Sequence, residues 1–97
     1  MAKKSERLTP DGIRRRLEVI PKWEVVEDRL LVRRLRFPDF VSALDFVNRV
    51  GRVAEERQHH PDLVLGWGKV EITVWTHSVG GLTDKDFAFA QAVDALG

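Results

Sequence analysis

Apolar residues recur along the 97-residue chain with two periods, and the switches between them mark the elements. Ile13, Leu17 and Ile20 fall at i, i+4 and i+7, one stripe of a short helix. Thr9 suits its N-cap, Pro10 its first position, and Pro21 ends it, with Arg14, Arg15 and Arg16 mostly outward. Over 22–37 the period drops to two: Trp23 and Val25 alternate with polar residues, and Glu27 and Asp28 mark a turn. In the second strand Leu31, Leu35 and Phe37 share a parity with Arg33, while Leu30 and Val32 share one with Arg34 and Arg36, which leaves the buried face open. Helical spacing returns behind Asp39: Phe40, Leu44, Val47, Gly51 and Ala54 form one stripe, widened by Ala43, Phe46, Val50 and Val53. So broad a stripe predicts deep burial against a sheet or a partner. Gly51 costs about 1 kcal/mol relative to Ala, so it is expected at a close approach.

Two more strands flank Gly66-Trp67-Gly68. Val70, Ile72 and Val74 are expected to face the helices, with Glu71, Thr73, Trp75 and His77 on the other side. Gly80-Gly81 reads as a flexible loop. Thr83 opens a capping box with Asp86, and a last helix runs to Leu96 with Phe89, Val93 and Leu96 on one face. The order α-β-β-α-β-β-α predicts an α+β fold, a four-stranded antiparallel sheet with helices packed on one face. The length allows one domain over 1–97, with 1–7 expected to be a flexible tail. Trp23, Phe40 and Trp67 are assigned to core or pocket wall.

Charge and composition narrow the functions. Sixteen basic and fifteen acidic residues leave a net charge of +1, so no basic excess points to nucleic acid, and the basic run over 29–37 reads as a solvated strand face. There is no cysteine, which removes disulfides, thiolate catalysis and cysteine-based zinc sites. No apolar run approaches the roughly 18 residues of a membrane span, and no apolar segment follows the charged start. A cytoplasmic protein is the expectation.

The chain has three histidines, and His59 and His60 are adjacent at the end of the long helix, just before Pro61. His77 leaves the last strand. If those two ends meet, three imidazoles share one cleft. Imidazole can donate or accept a proton near neutral pH. Glu55, four residues before His59, is placed to orient that ring. Three readings stand at this point: acid/base catalysis, a three-histidine metal site, and capping and surface roles alone. Adjacent histidines project in different directions, which makes shared chelation awkward, and the spacing is not H-E-x-x-H. Nucleotide-binding, P-loop and G-x-S-x-G motifs are missing.

"E-x-x-x-H-H-P" from Glu55, the aromatic Trp67, "K-V-x-I-T-V-W-T-H" and "G-G-L-T-x-x-D" together resemble the pterin-4a-carbinolamine dehydratases, from about Leu8 to Leu96. The resemblance implies elimination of water from 4a-hydroxytetrahydrobiopterin to give quinonoid dihydropterin, a step in tetrahydrobiopterin recycling for aromatic amino-acid hydroxylases. It implies no metal and no cofactor, and assembly as a homodimer or homotetramer. It carries catalytic roles onto His59, His60, His77, Glu55 and Asp86. Substrate contacts fall on Gln58, His59, His60, Pro61, Trp75, Thr76, His77 and Ser78. Asp86 doubles as the capping partner of Thr83. The chain departs from some members at Gln58, where they carry an acid, and at Trp75, where they carry a small polar residue. Two other roles fit the same fold: a regulatory or assembly partner acting through the apolar face of 40–54, and pterin chemistry in molybdopterin metabolism.

Overall fold

The computed structural model describes residues 6–96, so most of the expected tail lies outside the described residues. The order follows the expected one: α1 (Pro10–Leu17), β1 (Glu24–Val26), β2 (Leu30–Arg36), α2 (Phe40–Arg57), β3 (Asp62–Gly66), β4 (Lys69–Val74) and α3 (Asp84–Asp94). The sheet is antiparallel throughout with strand order β1-β2-β4-β3. Three residues, 27–29, join β1 to β2: Glu27 and Asp28 both take left-handed backbone conformations (φ 54° and 55°), and the Arg29 amide donates to the Val26 carbonyl at 3.0 Å across them.

Register settles which face of β2 is inside. Leu31, Arg33 and Leu35 lie opposite Val74, Ile72 and Val70, the aliphatic set of β4 that faces the helices. Arg33 sits on this inner parity because Asp94, the last residue of α3, accepts a hydrogen bond from its guanidinium at 2.5 Å and another from Trp23 Nε1 at 2.9 Å. One carboxylate thus ties the end of α3 to the first hairpin and compensates a partly buried cation, which would otherwise be costly. On the outer parity Arg34 pairs with Glu24 and Glu71 across three strands.

Burial corrects the reading of α2. Ala43, Phe46, Val50 and Ala54 are buried, but Phe40, Val41 and Leu44 are exposed. At about 100° per residue, Phe40 and Leu44 fall on the flank of the arc that the sheet and α3 cover. A Cβ on Gly51 would meet nothing within 4 Å, so no close approach occurs there within the chain. Trp23 is core, as expected, whereas Trp67 is 72% exposed between two glycines at the tip of the β3–β4 hairpin and is neither core nor pocket wall. Among the described residues no helix is long and apolar enough to cross a membrane.

Candidate active site

Three chain segments meet at one end of the molecule, and local backbone geometry sets each of them. α2 ends at Arg57 because Gln58 takes the left-handed conformation (φ 49°, ψ 44°). The His59 amide then reaches back to the Ala54 carbonyl at 3.1 Å, and the Gln58 side-chain amide donates to the Glu55 carbonyl at 2.8 Å. This is a Schellman-type termination with glutamine where glycine is usual. His59 and His60 therefore lie beyond the helix, which the left-handed Gln58 stops.

β4 ends at Val74, three residues before the histidine expected on it. His77 instead begins a single 3-10 turn (His77–Val79) closed by Gly80 at φ 62°. Thr76 and Gly81 bridge across this turn, with the Thr76 amide donating to the Gly81 carbonyl at 2.9 Å. Gly80-Gly81 is thus a tight, hydrogen-bonded turn, and the expected flexible loop is corrected. The sharp reversal returns the chain to α3, whose start carries the capping box of Thr83 and Asp86.

Asp86 has no exposed surface and has a partner for both of its oxygens. Oδ2 accepts from the Thr83 amide (2.9 Å) and the Thr76 hydroxyl (2.7 Å), and Oδ1 lies 2.5 Å from His59 Nε2. A hydroxyl has one proton to give. Because Thr76 spends its own on Asp86, the 2.8 Å contact between Thr83 Oγ1 and Thr76 Oγ1 runs from Thr83 to Thr76. The carboxylate likewise places the proton of His59 on Nε2 and leaves Nδ1 as its other ring nitrogen. His59 also packs edge-on against Phe89, with ring centroids 6.3 Å apart.

Glu55 pairs with His60, not His59: Oε2 lies 2.5 Å from His60 Nε2. The left-handed residue between them explains the shift. It breaks the helical interval, so the fifth residue on returns to Glu55 instead of the fourth. His77 stacks on Trp75, ring centroids 4.4 Å apart and planes inclined by 31°.

All three imidazoles border one cleft of about 390 Å³. Gln58, Trp75, Thr76 and Ser78 complete its wall, together with Lys85, for which the sequence raised no expectation. Lys85 sits between Thr83 and Asp86 at an unremarked position of the capping motif, and only the packing of α3 against the histidine segment reveals it. Pro61, expected to touch substrate, does not border the cleft, and Glu55 and Asp86 reach it only through the histidines they hold. Among the described residues no group of three or more potential ligands is placed to hold a metal ion, and two of the imidazole nitrogens are already taken by carboxylates.

Residues 6–96 match the family described as pterin 4 alpha carbinolamine dehydratase. A Rubrobacter xylanophilus protein provisionally named pterin-4-alpha-carbinolamine dehydratase is 53% identical over 89 residues, covering 92% of this chain and 83% of its own. Among solved structures, the transcriptional coactivator/pterin dehydratase from Brucella melitensis superposes with a TM-score of 0.88 at 30% identity, over 94% of this chain and 98% of that one. A pterin dehydratase-like protein described as a RuBisCO assembly factor in the alpha-carboxysome matches less fully, with a TM-score of 0.65 at 27% identity over 77% of this chain and 88% of that one. By its sequence, its fold and the meeting of its histidine segments, the chain belongs to the pterin 4 alpha carbinolamine dehydratase family.

Proposed function

We propose that the protein dehydrates a 4a-hydroxytetrahydropterin to the quinonoid dihydropterin, in tetrahydrobiopterin recycling. The observation that carries this reading is the convergence of three imidazoles on one cleft, two of them anchored by separate carboxylates. In the reaction an acid protonates the departing 4a-hydroxyl and a base removes the N5 proton. The electron pair left on N5 forms the C4a=N5 bond as the C4a–O bond breaks, and water leaves. His60 and His77 are the more exposed imidazoles and come from different segments, so they exchange protons with the substrate. His59 borders the ring site from the more enclosed side. Glu55 and Asp86 are positioning residues that set the orientation of His60 and His59. Gln58, Trp75, Thr76 and Ser78 contact the pterin, with Trp75 offering an aromatic face beside His77.

The test is the decay of a 4a-hydroxytetrahydropterin followed by absorbance. Acceleration over the spontaneous rate is expected, with His60→Ala and His77→Ala each slowing it about 10²-fold. A spontaneous rate unchanged by the protein would sink the reading.

The protein is further proposed to be one cytoplasmic domain over 1–97 that works as a homodimer or homotetramer. The exposed Phe40, Val41 and Leu44 on α2 support an interface; light scattering after gel filtration would read its state. The same surface supports a second reading, an assembly partner, to which the likeness to the RuBisCO assembly factor adds weight. Absent dehydration together with a stable complex with another protein would favour it.

A further inference from the structure

Beside the histidine cleft lies a second hollow of about 280 Å³, lined by Arg57 and Ala88 together with Gln58, His59 and Lys85. The last three border both hollows, so the two share a rim. No acidic side chain lines either. None of the ion pairs among the described residues includes Arg57 or Lys85. The neighbouring acids are engaged elsewhere: Glu55 with His60, Asp86 with His59, and Asp84 with Arg16 at 2.6 Å. Glu56 borders neither hollow. Two cations that line one hollow and that no ion pair among the described residues engages favour an anion there.

We propose that this second hollow receives an anionic group, a phosphate or a carboxylate, on the C6 side chain of the pterin, and that Arg57 and Lys85 select for it. The inference rests on the dehydratase reading for the identity of the ring that carries the anion and for the direction in which its C6 side chain leaves. The chemistry of that ring gives the direction. C6 is bonded to N5, the atom that must lose its proton to an imidazole. A C6 substituent therefore leaves the ring at the histidine wall near His60 or His77, and Gln58 and His59, which precede His60 in the chain, border the cationic hollow as well. A neutral substituent would gain nothing from the two cations. Both are exposed, so the gain is modest and screened by salt, roughly two- to fivefold for each charge.

Calorimetric binding of three stable oxidised pterins tests this without requiring turnover: 6-methylpterin, 6-carboxypterin and the phosphate ester of 6-hydroxymethylpterin. The two anions are expected to bind about fivefold tighter than 6-methylpterin at low salt, with the ratio shrinking as salt is added. Arg57→Glu should bring the ratio to one or below, while Arg57→Lys should retain it; circular dichroism checks that both variants fold. The larger gain of the two identifies the group as phosphate or carboxylate. Equal affinities, or a preference that survives Arg57→Glu, overturn the proposal. Turnover of a 6-methyl 4a-hydroxytetrahydropterin is measured alongside. Turnover without anion preference removes this inference alone, and anion preference without turnover removes the dehydratase reading alone.

Discussion

His59 and His60 are neighbours in the chain, and each holds a carboxylate at 2.5 Å, yet the surroundings of the two pairs are opposite. The side chains of His59 and Asp86 are 13% and 0% exposed, those of His60 and Glu55 55% and 71%. Burial makes the first pair part of the scaffold. Asp86 also receives the Thr83 amide and the Thr76 hydroxyl, so it cannot leave without stranding three donors. The second pair is in solvent, where attraction is screened and either partner can turn away at small cost. One imidazole is therefore held by the fold, and the other is aimed by a contact that can adjust as substrate arrives.

The largest expected effect tests the buried half. Asp86→Ala should lower unfolding free energy by about 3 kcal/mol or more in urea titration, because several buried donors lose their acceptor. A loss below 1 kcal/mol would break the contrast. A double-mutant cycle between His59 and Asp86 should give a coupling of about 1.5–3 kcal/mol, against less than about 1 kcal/mol for His60 and Glu55. Similar couplings would place both pairs in the same class. Glu55→Gln sharpens the distinction from the other side: stability should change by less than about 0.5 kcal/mol while kcat falls, since only the aim of His60 is lost.

A control comes from the far end of α2. Asp39 caps that helix by accepting from the Ser42 amide at 2.7 Å, and this bond holds its carboxyl below the ordinary 3.8. A depressed carboxyl contributes stability above its unfolded value and loses that contribution as pH falls through its folded value. Asp39→Asn should therefore flatten the acid limb of the stability profile below about pH 4 and leave the dehydration rate unchanged. An altered rate would mean that the two ends of α2 are coupled.

Much of the scaffold was legible because it follows local rules. The caps at Thr9, Asp39 and Thr83, the turn at Glu27-Asp28 and the alternation of Val70, Ile72 and Val74 needed only neighbours in the chain. The pairing of carboxylates with histidines was not legible. Helical spacing pointed Glu55 at His59, but one left-handed residue with no glycine to announce it moved the contact to His60. The partner of His59 lies 27 positions away, and spacing alone does not give such a distance. The inner face of β2 stayed ambiguous because Arg33 mimics an outer residue until Asp94 arrives from the other end of the chain. Trp67 looked like core by type, yet it occupies a hairpin tip where no element covers it. Lys85 was hidden in a motif position that any residue can fill.

The hydroxyl chain from Thr83 through Thr76 to Asp86 has a consequence for how this site can evolve. The carboxylate that starts α3 is the one that aims His59, so a substitution there meets selection twice, once on folding and once on chemistry. A change that loosens the start of the helix therefore also releases His59. The outer pair has no such constraint: Glu55 and the neighbouring Gln58 can change without dismantling a helix start. New substrate preferences in this lineage would then arise along the rim from Glu55 to His60, around a floor that stays as it is.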